Sequence, residues 1–169
     1  MTSPSKSLPT GVVNFLFTDI EGSTQLWEGN PDAMRPALAV HDRIIAEAVD
    51  GSDGAVFKTG GDAFCAAFAD PHQALNAATA AQHALLETEW ETESPIKVRM
   101  GLHTGTAQVR DGDYFGPTLN RVARVMSTGH GGQILVSTST HRLLVDELPP
   151  GVQLLSLGSH YLKKIGRAS

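Results

Sequence analysis

The sequence predicts an α+β domain, a ferredoxin-like βαββαβ core with a small α/β lobe appended. Three observations predict it. A continuous apolar run of strand-favouring residues opens the chain, a Gly-Gly hairpin signal lies near its middle, and amphipathic helical patterns separate the strands. Read in order, the patterns are β-α-α-β-β-α-β and then β-α-β-α-β-β, so the first part is a βαββαβ unit with one extra helix.

Val12 to Thr18 (VVNFLFT) is a continuous, largely apolar run of strand-favouring residues, the pattern of a buried strand. Asp19 stands where it ends, and a short helix begins around Gly22, Ser23 and Thr24. A longer helix follows from Asp32, with Pro36 early in it and Ala37, Val40, Ile44 and Ala48 at helical spacing, until GSDG at 51–54 breaks it. Ala55–Thr59 and Asp62–Ala69 read as two arms of a hairpin that turns at Gly60-Gly61. Asp70 and Pro71 open the next helix, whose buried stripe is Ala74, Ala77, Ala78, Ala81 and Leu85. It stops before the acidic ETEWETES. Ile96–His103 is a further strand, and 104–116, rich in Gly and Asp, an extended arm or hairpin. Thr118–Met126 reads as a helix ended by GHGG at 129–132, followed by strand Gln133–Val136, helix Ser139–Leu144 and a final hairpin over 152–164. Residues 1–10 read as a flexible leader and 11–169 as one domain.

A length of 169 residues suits a single compact domain with a sizeable core. A net charge of −5 disfavours nonspecific binding to nucleic acid or to anionic membranes. No apolar run reaches the ~18–20 residues of a membrane span, and the leader has no apolar signal segment. The single cysteine, Cys65, cannot form an internal disulfide; it reads as a small buried hydrophobe in a reduced, cytoplasmic compartment.

Chemistry gathers at a few positions. In a βαββαβ core the first strand neighbours the hairpin, so Asp19 and Asp62 could converge at one end of the sheet. Two carboxylates with no His or Cys cluster suit a hard cation such as Mg²⁺ or Mn²⁺. The N–H groups of Ile20 to Thr24, at a helix start, suit phosphate. Read singly, Asp19 is a helix cap and Asp62 a turn support. Lys58 on its strand is by itself a solvated charge. Asn120 and Arg124, four apart, share one helix face, which for such a pair is ordinarily a solvated one. Arg99 alternates with Val98 and Met100, and His103 reads as a structural residue.

FTDIEGST at 17–24, FKTGGDAF at 57–64, VRMGLHTG at 98–105 and DYFGPTLNRVAR at 113–124 together resemble the catalytic domain of class III adenylate and guanylate cyclases. The motifs stand in family order, and the resemblance covers roughly residues 11–165. It implies metal ligation by Asp19, Asp62 and the Ile20 carbonyl, with two Mg²⁺ or Mn²⁺ ions per site. It implies a base-selecting pair, Lys58 and Asp113, and a transition-state pair, Asn120 and Arg124. Phosphate-binding roles fall on Arg99 and on a lysine of the final hairpin, where LKK offers Lys163 or Lys164 and Lys163 is preferred; Gly22, Ser23 and Thr24 line the phosphate cradle. The family further implies a head-to-tail homodimer in which one subunit gives the metal ligands and the other the base-selecting and transition-state residues.

The implied reaction is a lyase step in signal transduction. The ribose 3′-oxygen attacks the α-phosphorus of a nucleoside triphosphate, and pyrophosphate leaves. Lys58 is purely a donor and Asp113 an acceptor, matching N1 and the N6 amine of adenine, so ATP is the expected substrate and guanine the mismatch. Two rivals have distinct signatures. GGDAF resembles the hairpin motif of diguanylate cyclases, but Ala63 stands where their second acid belongs and the Asn120/Arg124 helix has no part in that scheme. A non-catalytic nucleotide-binding module would release no pyrophosphate.

Overall fold

The computed structural model describes residues 7–157, 160–161 and 167–168. Strand β1 (Gly11–Ile20) leads into α1 (Ser23–Gly29) and α2 (Pro31–Gly51); the hairpin β2 (Ala55–Gly60) and β3 (Ala63–Phe68) and helix α3 (Pro71–Glu87) follow. Then come β4 (Val98–Arg110), β5 (Asp113–Phe115), α4 (Pro117–Ser127), β6 (Ile134–Val136) and α5 (Thr138–Leu144). The sheet runs β2-β3-β1-β4-β5, and β6 pairs with β4. Its first four strands are antiparallel neighbours in the ferredoxin-like order. The parallel strand β6 attaches the appended segment to this core, Met100 opposite Ile134.

β1 is central and covered on both faces, which is why its sequence does not alternate. Leu16 and Ile20 pack with Ile45 and Val49 of α2 and with Ala78 and Leu85 of α3; Val13, Phe15 and Phe17 pack with Tyr114 and with Val122 of α4. Asn30 caps α2 through the Ala33 N–H at 3.2 Å, and Asp70 caps α3 through the His72 N–H at 2.8 Å, each just before a proline at the first helical position. The alanine stripe of α3 is buried as the spacing predicts.

The buried face of α2 is Met34, Ala37, His41, Ile45 and Val49. The expected stripe through Val40, Ile44 and Ala48 flanks it and is only partly buried. The true stripe contains His41, wholly buried against the Phe64 ring at 5.8 Å, and a polar letter in an apolar stripe displaces a hydrophobicity-based reading by one residue.

β4 does not stop at His103 but continues to Arg110, turning at Asp111-Gly112, both at positive φ, to pair with β5. Helix α4 lies directly on β4. A Cβ at Gly101 would stand 2.6 Å from the Met126 backbone nitrogen, so glycine there permits the contact. Near the C-terminus, strands β7 (His160–Tyr161) and β8 (Arg167–Ala168) pair antiparallel, whereas 152–157 hold no regular element. Among the described residues no helix is long and apolar enough to cross a membrane.

Candidate active site

The turn between β2 and β3 reaches the end of β1. Asp62 stands in this turn rather than opening the return strand, which begins at Ala63. Its backbone lies outside the β2–β3 ladder, and its Oδ2 accepts a hydrogen bond from the Ile20 N–H at 2.9 Å. That bond sets the Asp62 carboxylate beside the residue that follows Asp19. Asp19, Ile20, Gly22, Ser23, Thr24, Asp62 and Arg99 line one open cavity of about 340 Å³, together with Gln25. Sequence reasoning missed Gln25; its place in the first turn of α1, one residue after the FTDIEGST motif, was the available signal. Gly22 at φ 68° turns the chain from β1 into α1, and no side chain caps that helix start.

Arg99 faces Asp19 directly across β1 and β4. Its Nε donates to Asp19 Oδ1 at 2.7 Å and its Nη2 to Oδ2 at 2.6 Å, a two-bond fork. The bonds to Asp19 are the main reason that the guanidinium is held above its ordinary pKa. The two aspartates and the Ile20 backbone offer oxygen donors alone, the chemistry of a Mg²⁺ or Mn²⁺ site. No group of three His, Cys, Asp or Glu side chains stands ready to hold a metal among the described residues.

A second group lies elsewhere. β2 and β5 are opposite ends of the strand order, yet Lys58 Nζ comes within 3.9 Å of Asp113 Oδ2. The β4–β5 arm curls over the sheet face, and aromatic contacts hold it there. The Tyr114 ring meets Phe57 at 4.8 Å and Phe15 at 5.1 Å, both edge-on, each pair contributing ~0.5–1.5 kcal/mol beyond area burial. The Tyr114 hydroxyl donates to the Pro9 carbonyl at 2.7 Å, and burial pushes its pKa up to about 12. Cys65 lies opposite Lys58 in the β2–β3 register. Desolvation pushes its thiol up to about 11, Lys58 pulling down and Asp113 pushing up. Half-buried beside Phe57 and Leu119, it behaves as the small hydrophobe the sequence suggests.

On α4, Asn120 is exposed. Arg124 is half-buried, and its Nη1 is buried with no hydrogen-bond partner among the described residues. An unmet buried donor costs ~1–3 kcal/mol. Neither residue lines the Asp19 cavity, nor do Lys58 and Asp113. Lys163 and Lys164 lie outside the described residues. His103 is structural: its Nδ1 is 2.7 Å from Ser137 Oγ, and burial, more than the nearby Arg121, lowers its pKa.

Residues 6–168 match the adenylate and guanylate cyclase catalytic domain. An uncharacterized protein of Mycobacterium tuberculosis is 40% identical over 165 residues, which span 96% of this chain and 55% of that protein. An adenylate cyclase of Lachancea kluyveri is 38% identical over 160 residues, covering 80% of this chain and 9% of its own length. The chain thus spans about half the length of the mycobacterial relative and a small part of the other. Among solved structures, an adenylate cyclase of Trypanosoma brucei in its monomeric state superposes with a TM-score of 0.87 at 28% identity, covering 96% of this chain and 89% of that one. An adenylate/guanylate cyclase/hydrolase of Silicibacter pomeroyi gives 0.81 at 29% identity, covering 93% and 92%. Fold and sequence agree over nearly the whole length, and the chain belongs to the adenylate and guanylate cyclase catalytic-domain family.

Proposed function

We propose that this domain is an adenylate cyclase, converting ATP to 3′,5′-cyclic AMP and pyrophosphate at sites shared between two copies of the chain. The observation that carries this reading is the separation of two incomplete residue groups. One end of β1 gathers Asp19, Ile20, Asp62 and Arg99 around a cavity; the Lys58–Asp113 pair and Arg124 stand outside it. Two copies placed head to tail would bring one group of each against the other group of its partner.

In this scheme Asp19, Asp62 and the Ile20 carbonyl would hold two Mg²⁺ or Mn²⁺ ions, and Arg99 and Lys163 would bind phosphate oxygens, with Gly22, Ser23 and Thr24 at the cradle. Divalent ions, when bound there, would supply acidification of the ribose 3′-hydroxyl and charge neutralisation of the phosphate tail. Lys58 donates to adenine N1 while Asp113 accepts from the N6 amine. Asn120 orients the ribose. As the 3′-oxygen bonds to the α-phosphorus and the bridge to the β-phosphate breaks, charge grows on the α-phosphoryl oxygens. Arg124 supplies the positive charge there, and its Nη1, unpartnered among the described residues, supports that role.

Mass spectrometry of the products formed from ATP and from GTP, with each metal in turn, tests the proposal. Cyclic AMP and pyrophosphate are expected, with GTP the poorer substrate. Guanine presents the reverse pattern of donor and acceptor, so Lys58 and Asp113 would lack matched partners in the closed site. Equal or faster turnover of GTP would refute the base assignment, a dinucleotide product would point to diguanylate chemistry, and nucleotide binding without pyrophosphate release would refute the enzyme.

A further inference from the structure

The side chain that the proposed metal site most needs is already taken. Both oxygens of Asp19 are bound by the Arg99 fork, at 2.7 and 2.6 Å, and the two side chains are only 20% and 28% exposed. Asp62 is different: among the described residues its Oδ2 accepts from the neutral N–H of Ile20 and from no cationic side chain. A divalent ion entering the cavity must therefore displace or share Asp19 with a guanidinium that also repels it at short range through a partly shielded medium. A nucleotide changes the balance, because a triphosphate offers the guanidinium a richer set of oxygens a short distance away.

We infer that Arg99 is a resident counter-ion that couples metal binding to nucleotide binding: alone, the free site holds a divalent cation poorly, and an arriving triphosphate admits the metal by drawing Arg99 off Asp19. This rests on the reading that Asp19 and Asp62 are metal ligands. It assigns Arg99 a role in the substrate-free protein distinct from phosphate binding. The cross-strand register supports it, since the pair is built into the sheet and is not a chance surface contact. The linkage is reciprocal, so whatever weakens the Asp19–Arg99 pair raises the affinity for metal alone.

The test is binding of Mn²⁺ alone to the whole chain, followed by the electron paramagnetic resonance of free Mn²⁺. Arg99→Gln is expected to bind Mn²⁺ about tenfold more tightly than wild type, a usual size for coupling between sites. Adding Asp19→Asn to that variant is expected to abolish the gain. No gain in Arg99→Gln would overturn the inference, and so would a gain that survives Asp19→Asn. Should Arg99→Gln fail to fold by circular dichroism, Arg99→Lys takes its place. It keeps the charge but loses the fork, so a smaller gain of the same sign is expected, and none would be an equal refutation. The outcome separates from the cyclase proposal. Cyclic AMP formation with no Mn²⁺ gain sinks the counter-ion role alone; a Mn²⁺ gain with no product in any metal sinks the cyclase reading alone.

Discussion

The end of β1 and the face beneath the β4–β5 arm differ in how completely the chain satisfies them. At the end of β1 the carboxylates find hydrogen-bond partners within the chain: Asp19 is forked by Arg99, and Asp62 accepts from the Ile20 N–H. On the other face Lys58 is 64% exposed and meets Asp113 only at 3.9 Å, while a buried nitrogen of Arg124 has no hydrogen-bond partner among the described residues. The first region is a finished piece of folding, so substitutions there disturb stability and function together. The second, on the proposed reading, waits for a partner copy, so substitutions there should cost function with little cost to the fold.

Asp62→Ala gives the largest combined effect. It removes a proposed metal ligand and leaves the Ile20 N–H unbonded, so cyclase activity should vanish and stability fall by ~1 kcal/mol, read by urea denaturation. Arg124→Ala sharpens the contrast: turnover should drop roughly 10³-fold, as for a lost arginine finger, while the urea midpoint stays level or rises because an unmet buried donor is gone. A large loss of stability would break the comparison. Gly101→Ala links the regions through α4, since the added methyl must push Met126 away; ~1–3 kcal/mol of destabilisation is expected, with turnover falling as Asn120 and Arg124 shift. Lys58→Ala should leave the fold untouched and reduce the preference for ATP over GTP by about tenfold, measured as a ratio of kcat/KM values.

The smallest effect is a pH dependence at His103. Burial lowers its pKa from 6.5 in the folded protein, so the unfolded chain binds the proton more readily. Its contribution to stability is therefore complete above pH ~6.5 and is lost as the pH falls from there toward the folded value. His103→Gln should flatten that part of the stability profile.

Features encoded by local pattern were legible in the sequence. The burial of β1, the Gly-Gly hairpin and the alanine face of α3 follow from periodicity and turn residues, and the approach of residues 19 and 62 follows from the topology those elements imply. What depended on register or curvature was not. No spacing announces that Arg99 lies opposite Asp19, because that requires the β1–β4 alignment to the residue. Nor does any pattern show that an arm beyond β4 curls far enough for Asp113 to meet Lys58 from the far edge. His41 hid the face of α2 for a simpler reason: a hydrophobicity count passes over a buried polar residue.

The central claim is that each copy of the chain carries two half-sites that only a second copy completes, and mixing two disabled variants tests it most directly. Asp62→Ala and Arg124→Ala proteins, the first inactive alone and the second reduced to a small residual rate, are combined under conditions in which subunit exchange is verified, and cyclic AMP is measured. Recovery of activity toward the level of one intact site in the mixed dimer is predicted. Continued inactivity in verified mixed dimers would contradict the account.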